Sequence, residues 1–371
     1  MDNELFIGAL SGTSIDGIDV ALVRFAPQPQ LVATHSRAYP EILRAELLAL
    51  CRPGENEIDR LGRADVQVGR LFAHAVNELL AKSAQPPSAI RAIGSHGQTV
   101  RHRPEGPAPF TLQIGDPNII AADTGLPVVG DFRRKDLALG GQGAPLVPAF
   151  HEAIFRQSGS NRVIVNIGGI ANLTMLPGDA TVATTGFDTG PGNTLLDAWS
   201  RRVLGEPMDR GGAFAARGRV EPRLLAAMLA DPYFSKSPPK STGPEYFSLG
   251  WLQRHLAAAG AVGEADVQAT LLALTATTIA HGVRGFFGQS APAVFVCGGG
   301  AHNDELMRAL RAQLPDCVVG CTDVLGVPGD WVEAMAFAWL ASRRWHEQAG
   351  NCPAVTGAKR AAVLGGLWLP E

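Results

Sequence analysis

A β-rich strand, a tight turn of small polar residues and a second β-rich strand occur twice in this chain, roughly half its length apart. The first unit is LFIGAL (5–10), SGTSIDG (11–17) and IDVALVRF (18–25). The second is NRVIVNIGG (161–169) running into IANLTML (170–176). A repeated strand-turn-strand unit at that spacing is a weak internal repeat. Helical patterns alternate with the strands. Residues 41–51 and 59–82 read as helices, the second with Leu61, Ala64, Val68, Leu71, Phe72, Ala75 and Leu79 on one 3.6-residue face. Further on, 194–204, 267–287 and 331–346 read as helices. Residues 126–132 read as a strand, 89–100 as a strand entering a polar loop, and 291–310 as strand, glycine turn and helix. The Pro- and Gly-rich segment 231–250 reads as irregular. Two similar α/β halves predict two domains around a cleft. The expected N-terminal lobe is 1–132 plus 347–371 and the C-terminal lobe 133–346. The stretch GGQGAPLVP (140–148) is a first candidate for a boundary.

Composition narrows the class. The chain has 371 residues, 46% hydrophobic and 18% charged, with a formal net charge of −3. That supplies a sizeable core and no general basic excess for a nucleic-acid partner. No run of ~18 apolar residues predicts a membrane span, and the acidic start MDNELFIGAL lacks the basic region of a signal peptide. Five scattered cysteines argue against a disulfide framework and fit a cytoplasmic location. Cys317 and Cys321 lie four apart, but no His or Cys pair completes a zinc set. Trp199, Trp339 and Trp345 read as core or interface residues.

Three glycine turns follow apolar strands: SGTSIDGID (11–19), NIGGIAN (166–172) and CGGGAHN (297–303). Glycine lets backbone N–H groups approach anionic oxygens, and helix N-termini favour negative charge. Any one of them is an ordinary turn; three in one two-domain chain point to a nucleotide. The familiar phosphate and hydrolase signatures are missing. There is no Gly-Lys pair for a Walker loop, no GxGxxG opening a helix, no GxSxG and no HExxH. Phosphate binding by paired β-hairpins remains.

The string SGTSIDGID resembles the opening motif of the anhydro-N-acetylmuramic acid kinases. So do GSHGQTV (94–100), QIGDP (113–117), DFRRKDLALGGQGAPLVPAFH (131–151), NIGGIANLT (166–174), GFDTGPGN (186–193), KSTG (240–243), CGGGAHN and NCPAVTGA (351–358). The match runs in order from about Leu5 to about Pro370. The departures noted are Ala9 and Ile15, where other apolar residues are expected, and neither position carries chemistry. The resemblance implies two ribonuclease-H-like domains of the actin, sugar-kinase and heat-shock ATPase superfamily, with ATP in the cleft between them and a homodimeric assembly. It also implies a double reaction. Water opens the 1,6-anhydro ring, and the freed 6-hydroxyl takes the γ-phosphate of ATP. The product is N-acetylmuramic acid 6-phosphate, used in peptidoglycan recycling.

The same resemblance assigns residues. Ser11, Gly12, Thr13, Ser14, Asp16, Gly17 and Asp19 correspond to the first phosphate hairpin, with Asp16 and Asp19 holding Mg²⁺ directly or through water. Asp16 could equally be a turn-former and Asp19 a pairing residue on the second strand. Asn166, Gly168 and Gly169 correspond to the second phosphate hairpin; Gly298, Gly299, Gly300 and Asn303 correspond to the adenosine turn. Asp188, at a strand end before a Gly-Pro-Gly turn, corresponds to the general base. Glu333 is either a second carboxylate at the sugar or a charge favoured near a helix N-terminus. His96, Gln98 and Thr99 are candidates for the sugar hydroxyls or lactyl group, with a structural role for the histidine as the alternative. Arg133, Arg134 and Lys135 form a basic cluster suited to the lactyl carboxylate or simply to solvent, and the sequence does not choose between the two arginines. Rival readings are a kinase of the same fold with another substrate, an exopolyphosphatase-like hydrolase, or a heat-shock-type ATPase, for whose usual peptide-binding domain the motifs leave no room.

Overall fold

The computed structural model describes residues 4–12, 14–26, 28–288 and 290–371. Its contacts divide the chain into two compact units, Met1–Ile154 with Trp331–Glu371, and Phe155–Asp330. Each unit has its own apolar core.

In the first unit, the β-branched and apolar run at the N-terminus becomes β1 (Leu5–Ser11), and the turn returns it as β2 (Gly17–Arg24). β3 (Gln30–Ala38) pairs antiparallel on the far side of β2. The chain crosses by the helices Glu41–Leu50 and Glu57–Ser83 to β4 (Ile90–Arg103), which lies parallel to β1. The polar loop expected towards the end of 89–100 is therefore strand. The distal half of β4 is held extended by antiparallel pairing with β5 (Phe110–Ile114). β6 (Val128–Gly130) lies parallel to β4 and ends the run, and Phe132–Ala138 is helical. Val68, Phe72, Ala75 and Leu79 of the long helix are buried against this sheet, as the 3.6-residue pattern predicts, and Val76 joins them.

The second unit repeats the plan. β7 (Arg162–Ile167), β8 (Ile170–Leu176) and β9 (Thr185–Pro191) form an antiparallel meander. β10 (Ala293–Cys297) and β11 (Val319–Cys321) add parallel strands beside β7. The helix Glu264–Phe287 lies against the sheet with Leu271, Leu274 and Ile279 buried. Most of 231–250 is irregular apart from the short helix Pro232–Ser235.

β12 (Gly366–Trp368) returns antiparallel to β6. The first sheet thus has the order β3-β2-β1-β4-β6-β12, and the second β9-β8-β7-β10-β11. With β5 and β12 of the first unit set aside, five strands in each unit run 3-2-1-4-5 in chain order, the first three antiparallel and the last two parallel. That is the ribonuclease-H-like order, so both halves have the expected topology.

The unit boundaries fall at 154/155 and 330/331, not at 132/133 and 346/347. The glycine-rich stretch 140–148 lies inside the first unit. The helix Val332–Trp345 also belongs there, because Gly8 of β1 and Gly94 of β4 admit its backbone. A Cβ on Gly8 would overlap the Ala334 carbonyl oxygen, and one on Gly94 the Phe337 carbonyl oxygen. Glycine at these two positions is a packing requirement.

Candidate active site

The first hairpin leaves β1 at Ser11, which is buried, and its Oγ donates to Gln98 Oε1 at 2.5 Å. Gln98, fully buried on β4, donates in turn from Nε2 to the Gly12 carbonyl at 3.3 Å. The Gly12 carbonyl also accepts the Ile15 N–H at 3.2 Å, closing the turn. Gln98 is therefore engaged with the hairpin. Thr13 lies outside the described residues. Ser14 is exposed, and its carbonyl accepts Arg44 Nη2. Asp16 is exposed and pairs with Arg44 at 3.3 Å. Gly17 opens β2 where a Cβ would meet the Arg37 carbonyl oxygen at 2.7 Å. Asp19 lies on β2, opposite Leu10, and its Oδ1 accepts the Ser36 hydroxyl at 2.6 Å. Each of the two carboxylates thus has its Oδ1 engaged, Asp16 by Arg44 in an exposed setting and Asp19 by Ser36 in a half-buried one. One or two carboxylates suit Mg²⁺, which keeps most of its water and is shared with phosphate. No group of three or more His, Cys, Asp or Glu suited to a metal occurs among the described residues.

Thr99 Oγ1 accepts Gln113 Nε2 at 3.1 Å. His96 is buried and its ring lies 4.6 Å from that of Phe337. Its Nε2 accepts Arg133 Nε at 3.0 Å and Nη2 at 2.9 Å. Burial first, and the Arg133 charge second, hold this imidazole well below its usual range. It is neutral, with Nε2 as the acceptor. The structure separates the two arginines. Burial lowers Arg133 to about 10, against the pull of Glu333 and Asp136, and its Nη1 donates to the Gly143 carbonyl at 2.8 Å. Arg134 is exposed and bound to Asp131 at 2.8 Å. Glu333, in the first turn of its helix, acts electrostatically on Arg133, so it belongs with the histidine and the arginine in the first unit.

In the second unit, Asn166 is the last residue but one of β7, opposite Asn172 of β8. The tip glycines of this hairpin have an unforeseen task. The Gly168 carbonyl accepts the Asn193 N–H at 2.8 Å, and the Gly169 carbonyl accepts the N–H groups of Gly192 at 2.9 Å and Thr194 at 3.1 Å. These carbonyls hold the start of the helix Asn193–Leu204 against the hairpin. The third turn adjoins the same place, since a Cβ on Gly298, at φ +78°, would overlap Asn166 Oδ1. Gly300 faces Ile167, whereas a Cβ on Gly299 would have Asn193 Nδ2 as its nearest atom, at 3.7 Å. Asn303 caps the helix Asp304–Gln313 by accepting the Leu306 N–H at 3.0 Å.

Asp188 lies on β9. Its Oδ2 accepts the Thr242 N–H at 3.0 Å, and its own N–H donates to the Lys240 carbonyl at 3.1 Å. The Tyr233 hydroxyl donates to its carbonyl oxygen at 2.7 Å. Burial raises the carboxyl to about 6, with the Thr242 bond acting the other way. A carboxyl poised there can exchange a proton near neutral pH. Thr242 and Tyr233 were not among the expected site residues, although the KSTG string marked the segment that carries Thr242.

Two sheets of ribonuclease-H-like order, each led by a glycine-tipped hairpin, define an actin-like ATPase fold of the kind that sugar kinases use. Comparison of sequences is more specific. Residues 4–370 match the sequence model for anhydro-N-acetylmuramic acid kinase. The anhydro-N-acetylmuramic acid kinase of Shewanella amazonensis is 56% identical over 98% of both chains, and that of Shewanella oneidensis 55% identical over 99% of each. The chain belongs to the anhydro-N-acetylmuramic acid kinase family. Among solved structures, component A of the (R)-2-hydroxyglutaryl-CoA dehydratase of Acidaminococcus fermentans aligns with 91% of this chain and 99% of its own at 12% identity and a TM-score of 0.48.

Proposed function

We propose that this chain opens the 1,6-anhydro ring of 1,6-anhydro-N-acetylmuramic acid with water and transfers the γ-phosphate of ATP to O6, giving N-acetylmuramic acid 6-phosphate and ADP. The observation that carries the reading is Asp188, a half-buried carboxyl raised to about 6 on β9, in a chain 56% identical to a kinase named for this sugar. Asp188 takes a proton from water as its oxygen bonds to the anomeric carbon. The C1–O6 bond breaks, O6 keeps the electron pair, and that oxygen bonds to the γ-phosphorus while ADP leaves. Arg133 binds the lactyl carboxylate, since its guanidinium is oriented by His96 and Gly143, and Glu333 balances that charge. Ser11, Gly12, Asn166, Gly168 and Gly169 border the phosphates; Gly298 to Gly300 border the adenosine. Asp16 and Asp19 are the carboxylates that would hold Mg²⁺, directly or through water. Bound Mg²⁺ offsets charge on the β- and γ-phosphates. The setting is the cytoplasm and the assembly a homodimer. No helix among the described residues is long and apolar enough to cross a membrane.

The test is ADP release with ATP and the anhydro sugar, with the product weighed by mass spectrometry after reaction in ¹⁸O water. One phosphosugar carrying a single ¹⁸O at C1 is expected. Phosphate release from ATP alone, with no phosphosugar, overturns the reading in favour of a hydrolase. Light scattering of the purified chain checks the dimer.

A further inference from the structure

The segment NCPAVTGA has no task in the chemistry just described, yet it closes on a fully buried carboxylate. Asp136, on the helix Phe132–Ala138, has no solvent exposure. Its Oδ1 accepts Asn351 Nδ2 at 2.8 Å and Thr356 Oγ1 at 2.9 Å, and its Oδ2 accepts the Gly143 N–H at 2.8 Å. Asn351 is fixed in turn, for its Oδ1 accepts the Ala362 N–H at 2.8 Å. A buried carboxylate bound by neutral donors is costly to desolvate. An apolar side chain would fill the same space more cheaply, so the arrangement calls for another reason.

That reason lies one turn away on the same helix. Asp136 grips Gly143 by its N–H, and the carbonyl of the same Gly143 receives Arg133 Nη1 at 2.8 Å. The guanidinium then spends Nε and one Nη2 proton on His96 Nε2. These bonds use three of its five N–H groups, so one N–H on Nη1 and one on Nη2 remain, and two such groups of one guanidinium can serve a carboxylate. The charged groups that act on Arg133 are Glu333 and Asp136 itself.

We propose that Asp136, Asn351 and Thr356 are positioning residues. They lock the loop carbonyl that orients Arg133, and through it fix His96 as a neutral acceptor, so that the two remaining N–H groups of the arginine are preset for the substrate's carboxylate. The part concerning the substrate rests on the proposed function; the part concerning Arg133 and His96 does not.

The experiment compares Thr356→Val, Thr356→Ser and Asp136→Asn with the wild type by steady-state kinetics and by ¹⁵N NMR of the histidine ring nitrogens. Thr356→Val removes one donor to a charged acceptor and is expected to raise the sugar KM about tenfold. The kcat and the KM for ATP stay within about threefold, and the His96 nitrogen shifts move. Thr356→Ser restores both readouts. Asp136→Asn shows the same KM pattern if it folds; Thr356→Val decides the matter if it does not. Unchanged sugar KM and unchanged His96 signals in folded Thr356→Val overturn the proposal. So does a joint fall of all kinetic constants with a lower Tm and His96 signals unmoved, which marks a merely structural bond. If the wild type does not turn over the anhydro sugar, the proposed function fails, and the His96 spectra still decide whether the tail sets the arginine.

Discussion

Ser11 and Gln98, 87 residues apart in sequence, are joined by a hydrogen bond of 2.5 Å between two buried side chains. The bond ties the tip of the first hairpin to the strand that carries His96. Substituting Ser11→Ala leaves the buried Gln98 Oε1 without this donor, a loss of about 1–3 kcal/mol. Urea denaturation measures that loss. Because one bond serves both sides, KM for ATP and KM for the sugar are expected to rise together.

Asp188→Asn keeps the size of the side chain and the contact with Thr242 but cannot take a proton. It is expected to fold, to bind ATP and sugar in calorimetry, and to lose about 10²–10⁴ in turnover. Retention of more than about a tenth of the wild-type rate, outside that range, removes Asp188 as the base and makes Glu333 the next candidate. In the wild type, kcat/KM should rise with pH through the carboxyl value of about 6.

The third glycine turn separates two effects within one tripeptide. Gly299→Val puts its side chain into open space, with 3.7 Å to the nearest atom. The fold should survive and ATP binding in calorimetry should weaken. Gly300→Val drives a branched side chain into Ile167 and should cost about 1–3 kcal/mol of stability. Unchanged ATP affinity in Gly299→Val removes this turn from the nucleotide site.

Acid should loosen the fold well above the carboxylate range. Burial holds His151 down at about 3, and His96 well below its usual value. In the unfolded chain both titrate near 6.5. Between those values the unfolded chain binds more protons, so stability falls as pH drops below about 6.5, by about 1.4 kcal/mol per pH unit for each proton. Asp188 acts in the opposite sense. Its folded value is raised, so its contribution is present at low pH and fades as pH rises through about 6. Two histidines outweigh one aspartate. The urea midpoint should fall between pH 7 and pH 5, and Asp188→Asn should steepen the fall.

What could be read from the sequence was local. The pattern of apolar and small residues gave β1, β2, β7 and β8, and the 3.6-residue face of Leu61 to Leu79 gave the long helix. β3 escaped because QLVATHSRA has no clean alternation and lies on the sheet edge, with most of its residues only half-buried. β5 is five residues and takes its shape from β4. The unit boundary escaped because it depends on two glycines meeting a helix more than two hundred positions later. Motif resemblance singled out Asp188, Glu333 and the arginine pair as candidates. It left the choice of Arg133 over Arg134 open, since that depends on His96 and Gly143 closing around one side chain. The Asp136 bonds to Asn351 and Thr356 span 215 and 220 residues, and no periodicity reports a contact of that range.

The helix Val332–Trp345 and strand β12 complete a sheet whose first strand is Leu5–Ser11. A ribosome therefore releases the residues of the second unit, Phe155–Asp330, as one unbroken stretch before the first unit has received its last helix. Domains generally fold as units as they emerge. Here the order of completion is the reverse of the order of synthesis: the half that begins first finishes last. Until residue 345 emerges, the surface around Gly8 and Gly94 is uncovered apolar strand, open to chaperones or to wrong partners.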